Sequence, residues 1–230
     1  MTDSKIFYED RALILCEKPI GVLSQGDESH AESMCDFVLE REAMRGEEPY
    51  VGVVHRLDRN VGGVMVYAKT KSAAASLSAA VGDKDVFVKE YIAAVHGKPE
   101  PDCGVRNDYI AKAPFDSKVR VSDKKTKGAK EASLYYRVIS VKDALSLVYV
   151  RLYTGRTHQI RAQLAYHGTP IVGDKKYGIR DDAPNIALHA FRLSFPHPET
   201  GERLSAVSLP TDAFPFTDKD IAAALERAGI

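Results

Sequence analysis

The chain has 230 residues, 44% of them apolar, and its 32 basic and 32 acidic side chains give a formal net charge of zero. No stretch approaches the roughly 18 apolar residues of a membrane helix, the N-terminal M-T-D-S-K-I-F-Y lacks the apolar run of a signal peptide, and the neutral balance argues against indiscriminate polyanion binding. Cys16, Cys35 and Cys103 are odd in number and widely spaced, which excludes a disulfide framework and fits reduced thiols in the cytoplasm.

Residues 12–16, A-L-I-L-C, read as a short strand stopped by Pro19 and Gly21, with Val22-Leu23-Ser24 as a second short strand. Met34, Phe37, Val38, Ala43 and Met44 recur near helical spacing on a charged background, so 31–45 reads as an amphipathic helix ended by Gly46. Tyr50–Val54 and Val64–Ala68 read as strands, Lys71–Val81 as an Ala-rich helix, and Val86–Val95 as a strand. Residues 111–130 show no apolar period and read as a loop with one short strand near Lys118–Val121. Ala132–Val141 and Ala144–Tyr153 read as two strands joined at Lys142-Asp143. Thr157 is the expected N-cap of a helix reaching His167. Ile186–Phe195 and Arg203–Ser208 close the strand set, and Asp218–Arg227 reads as a C-terminal helix. Many strands and few helices imply an α+β fold in one domain, 1–230, around a mixed, mostly antiparallel sheet with flanking helices.

Charge is unevenly spread. Residues 1–50 are acid-rich, whereas Lys112, Lys118, Arg120, Lys124, Lys125, Lys127 and Lys130 crowd one stretch, and Arg151, Arg156, Arg161, Lys175, Lys176 and Arg180 form a second group. A folded chain can gather a basic face while staying neutral overall.

Chemistry concentrates in a few segments. Val54–Lys69 sets Asp58 between Arg56 and Arg59, ahead of a Gly-Gly pair and a strand. A carboxylate among cations stays ionised. In a loop it can serve as nucleophile, general base or metal ligand. The others are Lys89-Glu90-Tyr91, Thr154–Arg161 (T-G-R-T-H-Q-I-R), Pro170–Asp174 (P-I-V-G-D) and Leu188-His189-Ala190. His55, His158, His167 and His189 match no metal-ligand spacing.

With Lys18-Pro19-Ile20-Gly21 ahead of them, the order and spacing of these motifs resemble the RluA-type pseudouridine synthases from about Leu13 to Leu209. The resemblance implies a pseudouridine synthase-like catalytic domain with a bent central sheet. It implies that the S4 RNA-binding domain of some members is absent. The implied reaction breaks the uridine N1–C1′ bond, rotates the uracil and joins C5 to C1′. Nothing is oxidised and no group departs, so no cofactor and no metal is required. Asp58 matches the essential carboxylate; attack at C1′, attack at C6 and assistance to a glycal intermediate all stay open. Arg161 matches the basic residue that pairs with that carboxylate, preferably through a bidentate contact. Tyr91 matches the tyrosine that stacks on uracil and can help remove the C5 proton, and Leu188 packs against the base. The target nucleotide must be flipped out of its stem; Arg56 is placed to occupy the vacated space. His55, Arg59, Arg156 and the lysines Lys124, Lys125 and Lys127 are expected at phosphates. Arg156 has a second reading, as an internal brace of its turn. The implied partner is structured RNA, ribosomal or transfer, met by a monomer with no membrane or protein partner.

The sequence departs from the family at Val61-Gly62, where a Thr-Ser pair is usual, so the loop after Asp58 must be held without those hydroxyls. Two other readings compete. A non-catalytic RNA-binding relative would tolerate loss of Asp58, Tyr91 or Arg161, and all three are present. A hydrolase using a lone Asp would need a second carboxylate or a metal ligand; Asp174, in a loop that reads as structural, is the only further acid at a defined motif position, Glu90 filling the variable place of K-x-Y.

Overall fold

Ile6–Glu9 (β1) and Leu13–Lys18 (β2) pair antiparallel, and β2 pairs in turn with Gly62–Ala68 (β4), so that Leu15 faces Val66 and Lys18 faces Gly63. All seven residues of β4 are buried, as expected of a strand covered on both faces. The short strand Gly52–Val53 (β3) adds to β4. These contacts come from a computed structural model that describes residues 4–46, 48–113, 118–210 and 213–230. Glu47 of the acid-rich segment and residues 114–117 of the lysine-rich stretch lie outside the described residues.

The chain divides into two compact units. The first comprises Met1–Lys89 with Ala190–Leu209, the second Glu90–His189 with Pro210–Ile230. The boundaries fall inside strands: Val88–His96 (β5) contains one crossing and Leu188–Pro196 (β10) the other.

In the first unit the strand order is β1-β2-β4-β10, with β3 on β4 and Arg203–Val207 (β11) antiparallel on β10. Its helices are Met34–Met44 (α1) and Lys71–Val81 (α2), the latter with the bounds expected from the sequence. Ser33 and Asp36 form a reciprocal capping box on α1, and Thr70 caps α2. Leu13, Leu15, Val64, Val66, Leu77, Phe87, Leu193 and Phe195 build its core, with Phe87 stacked on Phe195 at 5.3 Å. Gly63 has φ +121°, and a Cβ there would stand 2.3 Å from the Ala190 carbonyl oxygen. Only glycine lets the backbones approach this closely just after the Asp58 loop. Val22-Leu23-Ser24 is not a strand; Leu23 makes an isolated parallel bridge to Ser33.

In the second unit the order is β5-β9-β8-β6-β7, formed by Cys103–Lys112 (β6), Val119–Ser122 (β7), Lys130–Lys142 (β8) and Leu145–Leu152 (β9). The short strand expected near Lys118–Val121 is β7, and the loop expected around it is corrected. The chain stays in β6 to Lys112, returns as β7 with Lys112 opposite Val119 and Tyr109 opposite Ser122, then turns over residues 123–129. The lysines hid this because only one face is covered: Val119 and Ala132 are buried while Arg120 and Lys130 are exposed. The helix at Gln159–Tyr166 (α3) starts after His158, not after Thr157. Asp218–Ala228 (α4) is capped by Thr217, and Arg137 donates to the Ala228 carbonyl oxygen. The pairs β1–β2, β2–β4, β3–β4, β10–β11, β6–β7, β6–β8 and β8–β9 are antiparallel, giving the mixed, mostly antiparallel α+β fold. Among the described residues no helix is long and apolar enough to cross a membrane.

Candidate functional site

The residues singled out by the sequence divide between the units. His55, Arg56, Asp58 and Arg59 belong to the first; Tyr91, Lys124, Lys125, Lys127, Arg156, Arg161 and Leu188 belong to the second.

Asp58 sits half-buried in the loop between β3 and β4, and that loop is held from three sides. On the N-terminal side, the Ser24 hydroxyl donates to the Leu57 carbonyl (2.8 Å) and accepts the Leu57 N–H (3.0 Å). On the C-terminal side, Val61 N–H donates to the Asp58 carbonyl oxygen at 3.0 Å, closing a turn. The third hold is Lys18, fully buried at the end of β2. Its ammonium donates to the carbonyl oxygens of Pro19 (2.9 Å), Val22 (2.7 Å) and Arg59 (3.1 Å). Gly21 N–H also reaches the Arg59 carbonyl oxygen (2.8 Å), and Arg59 Nε returns to the Gly21 carbonyl oxygen (2.9 Å). The Lys18–Gly21 turn therefore anchors the loop where the Thr-Ser hydroxyls are missing. Burial drives the Lys18 ammonium down to about 8, with the Asp58 charge opposing the fall and the Arg59 charge adding to it.

That shift has a sign. A lysine whose folded pKa lies below its unfolded value of 10.5 binds fewer protons in the folded state between the two, so it adds stability as pH rises from about 8 to 10.5. Lys18→Met is expected to remove this rise, on the order of 3 kcal/mol across that window. Urea unfolding of both proteins at a series of pH values checks it; parallel pH curves would refute the assignment.

His55, expected at a phosphate, accepts the Val66 N–H on its Nε2 at 3.1 Å, and its ring packs edge-on against Phe87 at 5.6 Å. Burial drives its imidazole down to about 3, with the Lys89 charge adding to the fall. A neutral ring committed to a backbone donor braces β4. Arg56 is exposed and makes no hydrogen bond or ion pair among the described residues. Arg59 keeps an exposed side chain despite its bond to Gly21.

In the second unit Tyr91 is buried on β5 and Leu188 on β10. Glu90, its carboxylate taking a short hydrogen bond from the Tyr149 hydroxyl, points from β5 to the face opposite Tyr91. Arg161, on the first turn of α3, forms a fork with Asp174: Nε to Oδ2 and Nη2 to Oδ1, both at 2.8 Å. The bidentate edge of Arg161 is thus taken by Asp174. Asp174 is 1% exposed and also accepts the N–H groups of Lys176 (2.9 Å) and Tyr177 (3.1 Å). Burial pushes its carboxyl up, but Arg161 and the two N–H donors outweigh burial and hold it below the usual carboxylate range. Arg156 makes the internal contacts of its second reading, as a brace of its turn. Its Nε donates to the Glu131 carbonyl oxygen (2.8 Å) and its N–H to Gln159 Oε1 (3.0 Å), while the side chain remains exposed. Lys124, Lys125 and Lys127 are exposed on the turn between β7 and β8, with Lys124 over the Tyr109 ring at 5.8 Å.

Ser24 and Tyr177 lie outside the sequence-derived set. Ser24 gave no signal; Tyr177 follows the P-I-V-G-D motif by three residues, the reach of a side chain folding back on its own turn.

The model of the RNA pseudouridylate synthase family matches residues 12–166. The chain is 34% identical over 220 residues to ribosomal large subunit pseudouridine synthase D of Nitrosomonas europaea, covering 90% of this chain and 62% of that protein. It is 32% identical over 220 residues to ribosomal large subunit pseudouridine synthase C of Buchnera aphidicola, covering 92% of this chain and 68% of that protein. It thus spans about two thirds of the length of these relatives. Human RNA pseudouridylate synthase domain containing 4 shares the fold, with TM-score 0.76 at 24% identity, over 97% of this chain and 92% of that one. The family model, matching more than half of the chain, and these relatives identify an RNA pseudouridylate synthase. The chain belongs to that family.

Proposed function

We propose that this chain isomerises uridine to pseudouridine in structured RNA, with Asp58 as the essential carboxylate. The observation that carries the reading is the Asp58 loop. A half-exposed carboxylate stands in a loop whose backbone is fixed by Ser24, Lys18 and Val61, so its position is set before substrate arrives. Tyr91 offers its ring to the uracil and its hydroxyl to the C5 proton, Arg161 supplies the cationic partner of the reacting carboxylate, and Leu188 gives the base an apolar wall. Arg56, exposed and uncommitted to any hydrogen bond among the described residues, fills the space left by the flipped nucleotide. Arg59, Arg156 and the turn bearing Lys124, Lys125 and Lys127 meet phosphates. The large-subunit names of two relatives make large-subunit ribosomal RNA the first substrate to test, with transfer RNA second. A cytoplasmic monomer completes the proposal; the three cysteines are all free thiols.

A pseudouridine map of ribosomal and transfer RNA from cells with and without the gene tests the reading. A site lost on deletion, restored by wild type and not by Asp58→Asn, supports it and names the substrate. A wild-type protein that binds these RNAs and converts no uridine, in cells or purified, would leave the binding-only relative in its place.

Changing Lys124, Lys125 and Lys127 together to Ala is expected to weaken RNA binding and to lower the slope of log affinity against log salt by about 2, since each phosphate contact contributes about 0.7–0.9. Binding isotherms at four or five salt concentrations measure this directly. An unchanged slope would remove the turn from the interface.

A further inference from the structure

One cluster in the second unit has no part in the proposal above. Tyr177 lies three residues beyond Asp174, in the same turn. Its hydroxyl accepts the Val119 N–H at 2.9 Å and lies 2.8 Å from His158 Nδ1. With one lone pair given to Val119, the hydroxyl still has a proton and a second lone pair, so it hydrogen-bonds Nδ1 in either imidazole tautomer. The Tyr177 ring lies under the Arg161 guanidinium at 5.2 Å and edge-on to the His158 ring at 5.5 Å.

His158 is the N-cap of α3, and its backbone is left-handed, with φ 51° and ψ 23°. A non-glycine residue pays for that conformation unless its surroundings hold it there. His158 makes no side-chain cap bond to its own helix; its ring is tied to Tyr177. Arg161 follows three residues later, one turn along α3. The Asp174–Tyr177 turn therefore grips this turn of helix twice, by carboxylate on Arg161 and by hydroxyl on His158. The same hydroxyl holds Val119, the first residue of β7, whose neighbours Lys118 and Arg120 begin the lysine-rich hairpin.

We propose that Tyr177 is a positioning residue for Arg161, acting through His158, and that its hydroxyl joins the basic hairpin to the helix turn that carries Arg161. The kinetic part rests on the reading that Arg161 serves pseudouridine formation; the positional part does not.

Tyr177→Phe keeps the ring under Arg161 and removes only the hydroxyl. Two measurements follow on the full chain. In side-chain NMR of labelled arginine, exchange of the Arg161 Nε–H with solvent is expected to rise about fivefold or more, as the loss of a hydrogen bond worth roughly a kcal/mol loosens the turn. In turnover with RNA, kcat is expected to fall about five- to tenfold, clearly more than any rise in KM that a loosened hairpin brings, because the hydroxyl acts through Arg161. Unchanged Nε–H exchange would overturn the proposal whatever the chain does to RNA. Faster exchange with unchanged kcat would overturn it too, since the turn would then not govern Arg161's task. A fall in RNA affinity as large as the fall in kcat would place the hydroxyl in binding and refute the positioning role. Absence of turnover in the wild type would sink the activity reading alone, and the exchange measurement would still decide the role of Tyr177.

Discussion

Replacing Asp58 with Asn is expected to abolish pseudouridine formation, by at least about a thousandfold, while leaving the fold and RNA affinity nearly intact. The amide keeps the size of the carboxylate and removes its charge and basicity, which a nucleophile or general base cannot lose without losing orders of magnitude in rate. The fold should tolerate it because Ser24, Lys18 and Val61 hold the loop through backbone atoms of Leu57, Asp58 and Arg59. Lys18 should feel the change modestly, since the Asp58 charge favours its protonated form; a stability loss of about 1 kcal/mol covers it. RNA affinity should hold or rise, as one negative charge facing phosphates is gone. Single-turnover conversion of a labelled RNA gives the rate, and a filter-binding titration gives the affinity. Conversion at a tenth of the wild-type rate or better would sink the assignment of Asp58.

The largest expected effect on stability lies at Asp174. Asp174→Ala leaves the Arg161 guanidinium without the carboxylate that forks it and leaves the N–H groups of Lys176 and Tyr177 without their acceptor. Breaking a buried pair from one side costs about 3–5 kcal/mol, because the remaining charge is stranded away from water. For a chain of this size that is a fall in Tm on the order of 10 °C. The pH dependence has a definite sign. The folded pKa of Asp174 is below its unfolded value, so its contribution is present in full above the unfolded pKa and disappears as pH falls through the folded one. The gap between wild type and Asp174→Ala should therefore be constant near neutrality and close in acid. Calorimetry of both proteins from neutral pH downward tests this. A gap that widens in acid, or a loss under 1 kcal/mol at neutral pH, would show that the fork does not hold this turn.

Much of this was legible in the chain. The helix over Lys71–Val81 declares itself through its alanines and Thr70, and β4 through its unbroken apolar run. The carboxylate loop was readable because acid, base and glycine stand together within ten residues, with the remaining motifs in family order. What was missed has a physical reason in each case. The hairpin of β6 and β7 carries lysine on its solvent face, and single-sided strands with charged outer positions resemble loops when only composition is read. Ile6–Glu9 is too short to show alternation. Thr157 has the chemistry of an N-cap, but the chain passes through a left-handed His158 first, whose ring bonds Tyr177, nineteen residues away. Lys18 looked like the end of a strand; only burial turned it into a clamp on three carbonyls. The packing of the His55 ring on Phe87 had no local signal, because Phe87 lies far along the chain.

The two unit boundaries fall between Lys89 and Glu90 and between His189 and Ala190, each inside a strand and each inside a motif. For a chain emerging from the ribosome this sets an order of events. The strands β1, β2 and β4 and both helices of the first unit are made early, but β10 and β11, which complete its sheet, are made only after Glu90–His189. A nascent chain must therefore hold β4, apolar on both faces, without its β10 neighbour while the whole second unit is synthesised. Unpaired apolar strand edges are where growing chains aggregate, so the interval between the two halves of the first unit is the vulnerable period in this protein's biogenesis.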